Sequence, residues 1–368
     1  LNSINTSINE ASFRAKATLC QRLGRLCIAV CALGSAANIV AAANLDSLPQ
    51  YRPQQQVTGT LRSWGSPDMA GLLKDWEQGF REYHPEVRFA DVLKGTETAQ
   101  AALYTDVADF GLMDREILTL ERHVMLRRRH GLPMEFAVAT GGFAAANRSP
   151  ALAVFVHKDN PLAKLTLQQL DGIFGEQRTG AWDDKFKWHP ERARGPEGNI
   201  RTWGQLGLGG EWKDKAIQVY GYPITNYSPL PGPMLTFRRK VLSGSDMWNP
   251  NIREYEKGGD ITAALAADKF GIAYGSLADE SPNVKAVALA AAGSKHYVAL
   301  TSETVKSQRY PLTRMIYVYV SPAKPLPTGV REFLRYVLSR EGQEAVTREG
   351  GYFPLTPEQV RAELGKLD

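Results

Sequence analysis

The chain has 368 residues, with 44 Lys and Arg against 39 Asp and Glu, and 43% of it is hydrophobic. That length and apolar content suffice for one large domain or two domains with real cores, and exclude a disordered chain. The formal net charge of +5 is largely set at the amino-terminal end, where Arg14, Lys16, Arg22 and Arg25 lie.

Those four basic residues precede an apolar run over 26–40 and then Ala41-Ala42-Ala43. This is the charged, apolar, small-residue order of a secretory signal peptide. The run is short for a bilayer span, so residues 1–43 are expected to be a signal peptide with upstream residues, sending the protein to the periplasm or out of the cell. Ile28-Ala29-Val30-Cys31 resembles a lipoprotein box, but Val30 stands where a small residue is needed, which argues against lipidation. Cys20, Cys27 and Cys31 are the chain's three cysteines, and all lie in this segment. Its removal leaves no disulfide, thiolate metal site or cysteine nucleophile. It also leaves 40 basic residues against 38 acidic ones, which gives little support to nucleic-acid binding.

After a Pro/Gln-rich linker over 46–55, the residues predict a strand at 57–62. Ser66 then reads as an N-cap with Pro67 at the first helical position. Met69, Leu72, Leu73, Trp76, Phe80 and Tyr83 follow helical spacing and stop before Pro85. A strand is expected at 87–93, a helix opening at Gly95-Thr96 and running to about Tyr104, and a strand at 108–113. Short loops in this β-α-β-α-β order imply a parallel sheet, with the turns 63–68, 95–98 and 114–115 on one rim. Open α/β sheets bind ligands at the carboxyl ends of their strands. That makes Asp114 a candidate acceptor and Arg115 a candidate donor fork. Further strands are expected at 136–143, 152–157, 216–220, 270–274 and 315–320. Helices are expected at 165–174, 234–242, 261–267, 329–339 and 341–348, with a last one capped by Thr356-Pro357. The stretch 175–214, rich in Gly, Trp and charge, reads as a surface excursion covering a face.

His84, His123, His130, His157, His189 and His296 are scattered, with no close pair on one helix face, so neither a metal nor a cofactor is expected. No nucleophile elbow, Walker loop or dinucleotide fingerprint occurs. Arg127-Arg128-Arg129-His130 suits a helix carboxyl end, and the signal segment occupies the place a DNA-reading helix-turn-helix would need.

The segments YPLTRMIYVYV (310–320), FLRYVLSREGQEAV (333–346), GYFPLTPEQV (351–360), LKGTETA, ADFGLMDRE and GIAYG together resemble the phosphate-binding subunits of bacterial ABC importers. The resemblance implies an α/β, two-lobe periplasmic binding protein of type II, with its ligand cleft between lobes joined by crossover strands. Lobe I would comprise 44–147 plus 309–368, and lobe II 148–308. It implies no catalysis, a monomer, a small anion such as phosphate as ligand, and an inner-membrane ABC permease as partner.

In that family uncharged donors at helix starts, an arginine and a proton-accepting aspartate hold the oxyanion. By position Asp114 matches the aspartate, and Gly95-Thr96 the second loop with its hydroxyl. Ser66 and Asp68 fall in the first loop, where the family has Thr or Ser at the position of Asp68. A carboxylate there would repel an anion unless it turned outward. Trp64 is a candidate cleft-lining residue. In lobe II, Tyr222 stands in the family's arginine position, and Pro231-Gly232-Pro233-Met234 replaces its Ser-Gly-Thr, removing charge and donors. Arg115, Asn226, Tyr227, Ser228, Arg238 and Arg239 are candidate replacements. The residues leave two readings open: a receptor for phosphate or a related oxyanion, and a secreted interaction or sensory module whose cleft no longer binds phosphate.

Overall fold

A computed structural model describes residues 45–183, 185–224, 232–322 and 325–367. Residues 1–43, expected to be a signal peptide, lie outside them.

From the amino end, strand β1 (Gly59–Gly65) leads through a 3-10 turn (Pro67–Met69) into helix α1 (Ala70–Tyr83). Strand β2 (Val87–Val92), helix α2 (Thr96–Tyr104), strand β3 (Phe110–Met113), helix α3 (Thr119–Arg129) and strand β4 (Met134–Gly141) follow. Helix α1 buries Leu72, Leu73, Trp76 and Phe80 along one face. Burial of such side chains contributes roughly 1.5–3 kcal/mol each. Trp76 adds a hydrogen bond from its indole N–H to the carbonyl of Gly342. The expected parallel order holds for β2-β1-β3.

The chain then crosses into strand β5 (Leu152–His157), β6 (Lys164–Thr166), helix α4 (Leu167–Phe174), and a small hairpin of β7 (Ala181–Trp182) and β8 (Trp188–His189). Strand β9 (Gln218–Gly221), helix α5 (Gly232–Val241), β10 (Arg253–Glu254), helix α6 (Gly258–Ala266), β11 (Gly271–Ser276), β12 (Val284–Ala286), β13 (Ala288–Ala290) and helix α7 (Ser302–Lys306) complete this part. The chain returns through β14 (Met315–Val320), helices α8 (Thr328–Val337) and α9 (Arg340–Glu349), β15 (Tyr352–Phe353) and helix α10 (Pro357–Leu364). Thr356 caps α10 as expected, its side chain accepting from the Gln359 N–H.

Among the described residues two large sheets result, each backed by buried apolar residues, with β13-β6 and β7-β8 as separate two-stranded pairs. The lobe I sheet has the order β15-β4-β14-β3-β1-β2, and the lobe II sheet β10-β9-β11-β5-β12. The return strand β14 enters lobe I antiparallel between β3 and β4. Of the two crossings, one runs between β4 and β5 and the other precedes β14. They are hydrogen-bonded to each other, Gly141 N–H to Arg314 O at 2.9 Å and Leu152 N–H to Leu312 O at 3.0 Å.

The excursion over 175–214 is less irregular than its composition suggests. Besides the hairpin it places Trp203 and Trp212 in the lobe II core, and the Trp203 indole donates to the carbonyl of Phe270 at 2.9 Å.

Candidate functional site

Three lobe I turns meet at one rim because β1 and β3 approach closely there. A Cβ on Gly65 would fall 2.0 Å from the Leu112 carbonyl oxygen, and Gly65 has φ 148°. Only glycine fits. The Ser66 N–H donates to that same carbonyl at 3.0 Å, and Gly95, with φ 140°, donates its N–H to Gly65 O at 3.1 Å. Ser66 is buried, and its hydroxyl accepts from the Asp68 N–H at 3.3 Å. The capped element is the 3-10 turn rather than the first turn of the long helix.

The Thr96 hydroxyl, at the start of α2, donates to the Asp114 carboxylate. The Asp114 carbonyl accepts from Ser149 Oγ at 3.1 Å and from Arg314 Nη2 at 3.0 Å, so both crossings pin it. Asp68 lies near enough for Asp114 to act on it. Burial first, and then the negative charge of Asp114, push the Asp68 carboxyl above its usual range, opposed by Arg148 and Arg314. Its main-chain carbonyl accepts from the Tyr352 hydroxyl at 2.9 Å.

Two expected donors are elsewhere. Arg115 is buried with both terminal nitrogens on Glu121, at 3.0 and 2.8 Å, and a further bond to the Glu116 carbonyl. Its fork is committed to the start of α3, where Glu121 also accepts from the Leu118 N–H. Trp64 is half-buried within β1, opposite Val92 and Gly111, rather than in a loop, because the strand runs on to Gly65. Asn226 and Ser228, like Tyr227, lie outside the described residues.

On the lobe II side, Tyr222 is buried. Burial, then the neighbouring Asp279, push its phenol up to about 12. Its hydroxyl accepts from the Ser276 N–H at 3.4 Å and lies 3.5 Å from Asp279 Oδ2. Burial raises the Asp279 carboxyl as well. Helix α5 opens with Gly232-Pro233-Met234 and turns other side chains to lobe I. Thr236 Oγ1 donates to Glu116 at 3.0 Å, and Arg239 pairs with Glu135 at 3.8 Å. Arg238 pairs with Asp246. Lys240 donates to the Pro311 carbonyl at 3.0 Å, and burial lowers its ammonium to about 8. A cavity of about 900 Å³ lies beside α5, walled by Trp182, Trp188, His123, Phe186 and Leu235, and neither Asp114 nor Thr96 lines it.

The PBP superfamily domain matches residues 52–341. The phosphate-binding protein PstS of Pseudomonas aeruginosa is 32% identical over 335 residues, covering 90% of this chain and 94% of that protein. The chain belongs to the PBP superfamily, in the family of the phosphate-binding proteins. Among solved structures, an ABC-type phosphate transport receptor from Vibrio cholerae matches with TM-score 0.50 and 19% identity, over 80% of this chain and 100% of that one. PstS from Borrelia burgdorferi matches with TM-score 0.50 and 13% identity, over 80% and 98%. These share the two-lobe fold.

For a member of this family, the unforeseen residues are Ser149 and Arg314 on the crossings, with Arg148 beside them. Arg148 pairs with Glu349 at 2.8 Å and lies over the Tyr352 ring. A charged residue directly before the apolar strand β14 was a visible signal for Arg314, though the sequence did not name its partner 200 positions away. Among the described residues no His/Cys/Asp/Glu group could hold a metal ion, and no helix is long and apolar enough to cross a membrane.

Proposed function

We propose that this family member is an extracytoplasmic solute-binding protein that captures phosphate or a related small oxyanion and presents it to an ABC permease in the inner membrane. It acts as a monomer in the periplasm or outside the cell and performs no covalent chemistry. Its lobes are 44–147 plus 309–368 and 148–308, closing on the ligand by a hinge at the crossings. The observation that carries this reading is the Thr96–Asp114 hydrogen bond at the start of α2. A hydroxyl and a helix amino end offer donors to an oxyanion, and a carboxylate beside them accepts the ligand's own proton. Ser66 and Gly95 contribute the neighbouring turns. The kinship with a protein named for phosphate binding supports the same ligand.

Calorimetric titration of phosphate into ligand-free, refolded protein tests the reading, with saturable one-to-one binding expected. The second reading, an interaction or sensory module, draws on Tyr222 and Asp279, which put a phenol and an acid where the family has an arginine. Absence of binding by phosphate, sulfate and molybdate would favour it.

A further inference from the structure

The cleft residues include a buried cation, Arg314, with no carboxylate within ion-pair distance among the described residues, Asp68 acting on it only from farther off. Arg148 pairs with Glu349 and Arg115 with Glu121. Arg314, only 6% exposed, instead gives Nη2 to the neutral carbonyl of Asp114, and its Nε has no hydrogen-bond partner. Its backbone is fixed, since its carbonyl accepts from Gly141 N–H.

The guanidinium also touches the other lobe. A Cβ built on Gly232, the first residue of the ten-residue helix α5, would lie 2.3 Å from Arg314 Nη2. A cation against the positive end of a helix dipole is unfavourable unless negative charge sits between them. Guanidinium N–H groups form a donor set suited to an oxyanion, and although Pro233 removes one N–H from this helix start, the positive end of its dipole still favours a negative charge beside them. Arg314 also acts electrostatically on Asp68 from lobe I and Tyr222 from lobe II, so it stands within range of both rims.

We propose that Arg314 is the ligand-binding cation of this cleft. It reaches in from the crossing before β14 in place of the arginine absent at Tyr222, and Gly232 is glycine because any side chain there would displace the guanidinium. This rests on the oxyanion-receptor reading and adds a residue and a geometry to it.

The test is calorimetry with phosphate, sulfate and molybdate on refolded wild type, Arg314→Gln, Gly232→Ala and the double variant, with thermal melts to establish folding. Each single change is expected to weaken the anion that binds by about tenfold or more, and the double variant to lose little beyond the weaker single one. A folded Arg314→Gln that keeps affinity within about twofold would overturn the proposal, leaving Arg314 a hinge pin for Asp114. If Arg314→Gln does not fold, Gly232→Ala decides, and unchanged affinity there overturns it. Should wild type bind sulfate or molybdate but not phosphate, with the same losses, the proposal stands and the phosphate reading falls. Binding of no anion by wild type removes both.

Discussion

On the lobe I rim, the helix beginning at Thr96 opens with a hydroxyl held by Asp114 and with Gly95 behind it. On the lobe II rim, the helix beginning at Gly258 already faces an acid. A Cβ on Gly258 would come 1.8 Å from Asp279 Oδ2 and 2.8 Å from the Tyr222 hydroxyl. Both helix starts meet a carboxylate, but Thr96 brings a hydroxyl donor to its rim, whereas Gly258 brings no side chain to the other. The difference teaches that one α/β layout can present a receptive edge on one side and a self-satisfied edge on the other. The proposed ligand contacts lie accordingly on the lobe I rim, at the crossings and at the start of α5, and each of the following measurements presses on that contrast.

The largest effect is expected at the receptive edge. Asp114→Ala should weaken phosphate binding by about a hundredfold, the range for loss of a hydrogen bond to a charged group, and Thr96→Ala by about tenfold. Calorimetry checks both, and unchanged affinity in the two would dismiss the lobe I rim. Next, Tyr222→Arg should tighten binding by about tenfold by restoring a fork of donors to the opposite edge. Weaker binding would mean that Asp279 captures the new guanidinium.

Asp68→Asn should tighten binding by less, because it removes a charge that burial and Asp114 already disfavour. A raised carboxyl favours the folded state fully below its unfolded value, near 4, and that contribution is lost as pH rises through the raised value. Protonation in that window also removes the repulsion between Asp68 and an anion, so wild-type affinity should gain more than that of the Asn variant as pH falls through it. The smallest effect concerns the lobe I scaffold. His84 Nδ1 accepts from the Val57 N–H at 3.2 Å, and its Nε2 lies 2.7 Å from the Tyr51 hydroxyl, which donates to buried Glu332 at 3.0 Å. Burial lowers its imidazole below the ordinary value. The stability it contributes is present above about 6.5 and lost as pH falls through the lowered value. Thermal melts between pH 7 and 5, compared with His84→Gln, should show this slope only in wild type.

Local chemistry made much of lobe I legible. The spacing from Met69 to Tyr83, the apolar run before Asp114 and the Thr356 cap each declare an element within a few residues, because period and capping are local properties. Arg115 shows where local reading ends. A charge after a strand can turn either way, and Glu121, six residues on, decides it. Arg314 was harder still, since its surroundings are set by two backbones far away in sequence, at Asp114 and Gly232. The excursion misled by composition: Gly and charge signal surface, yet Trp203 is wholly buried.

That last residue matters to anyone turning this protein into a fluorescent reporter. The stretch from 175 to 214 looks like a convenient splice point, long and rich in turns. With Trp203 and Trp212 seated against Phe270 and the hairpin residue Phe186 stacked 4.2 Å from the His123 ring of lobe I, it is anchored in both halves of the molecule. A fusion placed there would cut through a wall rather than extend a porch, and grafts belong instead at exposed turns such as Gly293, where an added Cβ meets nothing.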